Sequence, residues 1–180
     1  VERLGAAPDP NAQEALVALG ESGYAPLPNI FTAPQIDALQ DYLADKPVTF
    51  WNGDGERIAP GKGLVENAPE DATIAHYGKA DLCRCPLIYD VLHDERFINL
   101  AGAYLGAPPT ISTVATWWSF PNPQQPDLDQ KFHHDRDDFN VTKLFAYLTD
   151  ITPVTGPHAY VLQTHTTRVL RDFASRNMTS

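Results

Sequence analysis

The stretch FHHDRDD, residues 132–138, carries two histidines and three aspartates within the six residues that follow Phe132. His133 and Asp135 are separated by one residue, so in an extended backbone their side chains point to the same side, and that of His134 points away. One imidazole and one carboxylate facing one cavity supply two ligands of the 2-His-1-carboxylate site that holds non-haem Fe(II). A His-x-Asp pair also occurs in solvated turns of acidic proteins, so the flanking sequence must decide between the two interpretations.

The segments on either side of this cluster have the composition of strands. Residues 110–120 (TISTVATWWSF) are β-branched and aromatic, which favours a strand. Residues 141–150 (VTKLFAYLTD) alternate in a way that predicts a second strand with Lys143 and Phe145 on one face. A turn rich in Pro and Gly then leads to a third short strand, predicted over 159–162. The second half of the chain is therefore expected to form an antiparallel sheet or barrel.

The first half has helical patterns instead. Helices are predicted over 12–19, closed by Gly20, over 34–44, with Thr32 as N-cap, and over 95–105, between the N-cap Asp94 and Gly106.

Two further segments complete this reading of the chain. Residues 47–73 are rich in Gly, Pro, Asn and Asp and are interpreted as a long surface loop. A last helix is predicted over 166–176. The sequence thus predicts an α+β fold in one domain spanning 1–180, with a mainly helical part at 1–108 and a β-rich part at 109–180.

Composition excludes several classes of function. The chain has 13 Lys+Arg against 23 Asp+Glu, a formal net charge of −10, which argues against binding to nucleic acid or to anionic membranes. No apolar run approaches the ~18 residues of a membrane span. Cys83 and Cys85 are the two cysteines, too few for a disulfide framework or a cysteine-based zinc cluster. This cysteine usage is typical of a reducing compartment, so we expect a cytoplasmic protein.

Three sequence blocks, taken in order, resemble those of the phytanoyl-CoA dioxygenase family of Fe(II)/2-oxoglutarate oxygenases. The blocks are FHHDRDD at 132–138, KLFAYLTDI at 143–151 and GPHAYVLQTH at 156–165. The resemblance is strong over 110–170 and diffuse over 20–108. It implies a double-stranded β-helix, a jelly-roll of the cupin type, preceded by helices and incomplete in this chain.

The resemblance also implies the cofactors and the residues that bind them. Fe(II) would be held by His133 and Asp135, which are then the metal ligands and the catalytic residues, and 2-oxoglutarate would chelate the metal as cosubstrate. Lys79 and Thr116 match family positions at the cosubstrate, and Phe145 matches a position where the family has an aromatic ring. Each position also has an ordinary structural alternative. Lys79 would then be a surface lysine, Thr116 a strand residue facing solvent, and Phe145 a residue of the core.

Lys143 is a candidate cosubstrate-binding residue because its side chain is positively charged. A dicarboxylate that chelates iron at one end needs a cation at the other, and a lysine on the face of Phe145 would supply or share it. The alternative is an exposed lysine at the start of the strand.

The chain departs from the family pattern in its distal ligands. The family has a second histidine ligand late in the fold, followed by an arginine that binds the far carboxylate of 2-oxoglutarate. No histidine follows His165 here, and both His158 and His165 lie too close to His133 in sequence for the distal position. Three explanations stay open: the chain belongs to a longer protein, which we favour, the last strands have been lost, or His158 or His165 has been recruited.

These observations predict an Fe(II)- and 2-oxoglutarate-dependent dioxygenase that hydroxylates, or otherwise oxidises, a small organic substrate. Its expected partners are that substrate, 2-oxoglutarate and O₂, with no nucleic acid and no membrane. The alternative from another class is a non-catalytic binding module on the same fold with an incomplete iron site. A third reading is a cupin-like zinc hydrolase with the same ligands. The substrate itself is not indicated, because its contacts would lie in loops such as 47–73.

Overall fold

The computed structural model describes residues 10–58, 62–121, 132–133, 140–166 and 169. These residues form helices and a three-stranded antiparallel sheet, which is an α+β mixture, and within them no jelly-roll is formed. The elements in chain order are α1 (Pro10–Ser22), α2 (Ala33–Ala44), β1 (Val48–Trp51), a 3₁₀ turn (Val65–Asn67), β2 (Ile74–Tyr77), α3 (Lys79–Arg84), α4 (Pro86–Leu92), α5 (Glu95–Leu105) and β3 (Trp117–Ser119).

The chain divides into two compact units. The first unit is drawn from the described residues of 1–30, 94–109 and 142–180, and it contains α1 and α5. The second unit is drawn from those of 31–93 and 110–141, and it contains the sheet with α2, α3 and α4.

The predicted helices of the N-terminal half are present, and their ends follow from local chemistry. At the start of α2, the backbone N–H and the hydroxyl of Thr32 both donate to Oε1 of Gln35, at 2.9 and 3.0 Å. In return, the backbone N–H of Gln35 donates to the backbone carbonyl of Thr32 at 3.0 Å, and these bonds order the first helical turn. The predicted end of α1 is wrong, because Gly20 lies within the helix. Its chain reversal comes at Gly23, which has φ +78° and donates its N–H to the carbonyl of Leu19.

Helix α5 has both of its predicted end signals. The carboxylate of Asp94 accepts a hydrogen bond from the backbone N–H of Arg96 at 2.9 Å. Gly106 ends the helix in the left-handed conformation, with φ 73°, and donates its N–H to the carbonyl of Gly102. The spacing of Asp94 and Gly106 around an apolar stretch was therefore sufficient to define this helix.

We expect the Asp94 cap to make stability depend on acid. Hydrogen bonds from Arg96 lower the pKa of Asp94, against a smaller opposing effect of desolvation. The pKa of Asp94 is thus lower in the folded than in the unfolded protein. The stabilisation that its carboxylate gives is therefore complete above the unfolded pKa and is lost as pH falls through the folded pKa. Asp94→Asn should keep the cap but remove this acid-dependent loss, whereas Asp94→Ala should cost about 1 kcal/mol at neutral pH. Urea unfolding at pH 7 and pH 3 checks both, and equal acid sensitivity of Asp94→Asn and wild type would contradict the assignment.

The sheet has the order β1-β2-β3, and both pairings are antiparallel. Val48 lies opposite Tyr77 in the first pairing, and Ala75 lies opposite Trp118 in the second. The interpretation of 47–73 as a surface loop is wrong for β1, where Val48 and Phe50 are 0% and 2% exposed. The β-branched and aromatic run VTFW outweighs the Gly- and Pro-rich sequence that follows it.

The core of the second unit lies around this sheet. Thr73, also buried, has its hydroxyl satisfied by the carbonyl of Trp51 at 3.2 Å. The buried apolar side chains of this unit are Phe31, Leu39, Leu43, Val48, Phe50, Ala72, Ile74, Ala75, Tyr77, Leu82, Cys85 and Ile88.

Three predicted elements of the C-terminal half differ in the structure. Of the strand predicted over 110–120, Trp117–Ser119 forms β3. No strand forms within 141–150 or 159–162, because among the described residues neither segment pairs its backbone with a strand. Most of the helix predicted over 166–176 lies outside the described residues.

Candidate functional site

The predicted metal pair falls at the edge of the described part of the chain. His133 is exposed, as is the neighbouring Phe132. Asp135 lies outside the described residues, with His134 and the rest of 134–139. The geometry of the pair therefore stays a prediction.

The donor chemistry of this pair suits Fe(II). An imidazole and a carboxylate are the two ligand types of the facial iron site, and the side chain of His133 is exposed. Among the described residues, no three or more side chains of His, Cys, Asp and Glu come together as a metal cluster. A complete site thus requires Asp135 and one further donor.

Two of the predicted cosubstrate residues are attached to the same end of strand β2. The backbone N–H of Tyr77, the last residue of β2, donates to the carbonyl of Thr116 at 3.0 Å. Lys79 follows two residues later, as the first residue of α3. The side chain of Thr116 is half-buried and that of Lys79 is exposed. The backbones of Thr116 and Lys79 therefore lie close to one end of strand β2.

The same strand end carries a part-buried polar contact that the sequence did not predict. The indole N–H of Trp118 donates to the hydroxyl of Tyr77 at 2.9 Å. Burial raises the pKa of Tyr77, and the hydrogen bond from Trp118 acts in the opposite direction. The available signal was the apolar and aromatic run of Ile74–Tyr77, which was not assigned as a strand.

We expect Tyr77→Phe to cost about 0.5–1.5 kcal/mol of unfolding free energy, because the indole N–H of Trp118 loses its acceptor. The pKa of Tyr77 is higher in the folded than in the unfolded protein. The contribution of the Tyr77 hydroxyl to the free energy of unfolding is therefore present below the unfolded pKa and is lost as pH rises through the folded pKa. Urea unfolding followed by tryptophan fluorescence checks the change. Tyr89→Phe, at an exposed ring, is the matched control and should be neutral. Equal costs at the two positions would contradict the role of the Tyr77 hydroxyl.

The other two predicted cosubstrate residues, Lys143 and Phe145, belong to the first unit. Both are exposed, and the segment that carries them is not a strand. The inference that they share one strand face is therefore wrong, since alternation fixes side-chain direction only in an extended, paired backbone. The segment makes ring contacts instead: the Phe145 ring lies 4.4 Å from that of His158, at an interplanar angle of 49°.

Phe145 is one end of a row of rings that we call the aromatic row, formed by Phe145, His158, Tyr160 and Tyr24. The His158 and Tyr160 rings stack with their centres 5.4 Å apart, and the Tyr160 and Tyr24 rings stack at 5.0 Å. The backbone N–H of His158 also donates to the hydroxyl of Tyr147 at 2.7 Å. The row links the second and third sequence blocks to the residues that follow α1.

His158 and His165, the two histidines considered for recruitment to iron, thus have defined surroundings within the first unit. His158 lies between two rings of the aromatic row. His165 has its Nε2 atom 3.2 Å from the carbonyl oxygen of Gly20, near the end of α1.

Comparison of the chain with models of protein families, with curated proteins and with solved structures finds no match. The assignment to a class of protein therefore depends on the three sequence blocks and on the chemistry of their residues. Among the described residues, no helix is both long and apolar enough to cross a membrane.

Proposed function

We propose that this chain is an Fe(II)- and 2-oxoglutarate-dependent dioxygenase that hydroxylates a small organic substrate. One observation carries the proposal: His133 and Asp135 stand one residue apart in the first of three blocks whose order and spacing resemble the phytanoyl-CoA dioxygenase family. The exposure of His133 is compatible with a ligand that takes up a metal ion from solvent.

In this proposal His133 and Asp135 hold the metal through an imidazole nitrogen and a carboxylate oxygen. When bound, Fe(II) supplies the activation of O₂, and 2-oxoglutarate, O₂ and a substrate C–H bond are converted to succinate, CO₂ and an alcohol. The chain's own task is to orient the substrate and to exclude water from the reacting centre.

The cosubstrate would be oriented by cations and by a hydroxyl group. Lys79 is the favoured cation of the two predicted lysines, because its backbone follows the strand end where Thr116 is hydrogen-bonded to the sheet. A lysine at such a site attracts a carboxylate as a point charge. Lys143 and Phe145 remain proposed contributors, with Phe145 held by His158.

The proposal is tested by turnover of 2-oxoglutarate. The chain, loaded with Fe(II) in air, should produce succinate, and a chelator or an argon atmosphere should stop the reaction. The double variant His133→Ala/Asp135→Ala is the control for metal-catalysed breakdown in solution. Succinate formation that is equal with wild type and with this variant would contradict the proposal.

The alternative is a binding module on the same fold, since the blocks supply two iron ligands where the enzyme needs three. Metal content discriminates the two functions. A module without catalysis would hold no iron and would leave 2-oxoglutarate unchanged.

We also propose that the protein works in the cytoplasm, on small molecules and without nucleic acid or membrane partners. Its two cysteines are both unpaired, with Cys83 exposed and Cys85 buried, as suits a reducing compartment. The net charge of −10 opposes binding to phosphate-rich partners.

A further inference from the structure

The C-terminal end of helix α1 receives hydrogen bonds from a segment that is distant in sequence. The carbonyl of Gly20 accepts from Nε2 of His165 at 3.2 Å, although the two residues are 145 positions apart. The carbonyl of Ser22 accepts from the backbone N–H of Gln163 at 2.7 Å. Since a carbonyl only accepts, the Nε2 atom of His165 must carry the proton. The last carbonyls of a helix have no partner within it, so both contacts satisfy groups that would otherwise need water.

The His165 ring also lies directly against Gly23, the residue that turns the chain after α1. A Cβ atom on Gly23 would lie 2.5 Å from Nδ1 of His165 and 2.9 Å from its Cγ atom. Gly23 has φ +78°, a conformation that already favours glycine. Glycine is therefore favoured at this position for two reasons: the backbone has a positive φ, and the His165 ring leaves no room for a Cβ atom.

Gln163 provides a third sign that the segment is held in place. It is the one non-glycine residue with positive φ among the described residues, at 67°. Such a conformation persists when the surroundings fix it. Its N–H donates to the carbonyl of Ser22, and its own carbonyl accepts hydrogen bonds from the backbone N–H and the hydroxyl of Thr166.

We propose that His165 is a positioning residue that caps the C-terminal end of α1 and docks the segment GPHAYVLQTH, residues 156–165, onto that helix. The imidazole supplies an N–H donor at the negative end of the helix dipole. Docking at Gly20 and Ser22 fixes the end of the segment and so sets Tyr160 against Tyr24, at 5.0 Å. His165 is thereby assigned to the fold and not to a metal. This role is independent of the proposed oxygenase function.

The test compares His165→Ala with His165→Gln in the full chain. Glutamine keeps an N–H donor at about the reach of Nε2, so His165→Gln should retain the docking that His165→Ala loses. Hydrogen exchange at the Gln163 amide is the direct readout: we expect about 5- to 30-fold faster exchange in His165→Ala, the equivalent of 1–2 kcal/mol. Exchange in His165→Gln should stay close to wild type. Exchange that is unchanged in His165→Ala, or equally fast in both variants, would overturn the proposal.

Gly23→Ala gives an independent test of the same contact. Gly55 has φ +75° and nothing within 4 Å of an added Cβ atom, so Gly55→Ala measures the backbone cost alone. Gly23→Ala should lower the melting temperature more than Gly55→Ala does. The excess should vanish when His165→Ala is also present, because the ring that clashes is gone. An excess that persists in the double variant would contradict the contact.

A metal titration separates this role from the recruitment of His165 to iron. Glutamine does not replace a histidine ligand to Fe(II), so a ligand role predicts loss of Fe(II) affinity in His165→Gln. The docking role predicts an affinity equal to wild type. The exchange measurement keeps its meaning even where the chain binds no iron, so failure of the oxygenase proposal would leave this inference standing.

Discussion

Asp135→Ala is expected to abolish Fe(II) binding and 2-oxoglutarate turnover while the fold remains intact. Removing the carboxylate leaves His133 as the remaining ligand of the pair, and one imidazole does not hold Fe(II) at a defined site. The loss of metal affinity should exceed the roughly 10- to 100-fold effect of mutating groups that only hydrogen-bond to ligands. Equilibrium titration with Fe(II) under argon measures it, and circular dichroism checks the fold.

His134→Ala is the matched control for this prediction. It removes an imidazole from the same block, but in an extended backbone the side chain between two ligands points to the other side. We therefore expect nearly unchanged Fe(II) affinity in His134→Ala and a loss in His133→Ala equal to that in Asp135→Ala. Equal losses from His134→Ala and Asp135→Ala would show that His133 and Asp135 are not the ligand pair.

The second large effect is expected at Phe50, where alanine should lower the free energy of unfolding by about 3–5 kcal/mol. Phe50 lies on β1, is 2% exposed and sits so close to Gly63 that a Cβ atom there would lie 3.0 Å from its ring. Truncation therefore leaves a cavity that the surroundings cannot readily fill. A loss of this size is a large part of the 5–15 kcal/mol that typically stabilises a domain.

Urea unfolding followed by tryptophan fluorescence checks this prediction, because Trp51 and Trp118 belong to the same sheet. Thr49→Ala is the control, since Thr49 is half-buried on the same strand and points to the opposite face. We expect it to cost far less than Phe50→Ala. Comparable costs at the two positions would show that the sheet does not form the core of its unit.

The helices of the N-terminal half could be predicted from sequence because their determinants are local. Thr32 and Gln35 bond to each other across one helical turn, and Asp94 bonds to Arg96 two residues later. Gly106 ends α5 through its own backbone conformation. Each of these signals lies within a few residues of the boundary that it sets.

The strands were harder to predict because pairing is not local. Strand β1 is a short run beside Gly- and Pro-rich sequence, and it becomes a strand through its pairing with β2. The segment 141–150 shows the converse, since its alternation predicted a strand but no strand in the described part of the chain pairs with it. Its side chains make ring contacts instead, as Phe145 does with His158. An alternating sequence therefore shows that a segment could form a strand, but it does not show whether another strand will pair with that segment.

In the candidate site, too, the features that depend on local sequence could be predicted and those that depend on long-range contacts could not. The pair His133 and Asp135 could be proposed from sequence because the spacing of two ligands within one block is local. The attachment of Thr116 beside the end of β2 and the cap from His165 to Gly20 depend on long-range contacts. The sequence shows that His165 is the last residue of the third block, but it does not show that its side chain contacts the end of α1.

The central claim, that this chain binds Fe(II) and 2-oxoglutarate together, is tested most directly by titration under argon, which needs no knowledge of the substrate. We predict Fe(II) binding that is tighter in wild type than in Asp135→Ala, 2-oxoglutarate binding that requires the metal, and weaker 2-oxoglutarate binding in Lys79→Ala with Fe(II) affinity unchanged. Binding of 2-oxoglutarate that is the same with and without metal, or Fe(II) affinity that is equal in wild type and Asp135→Ala, would contradict the account.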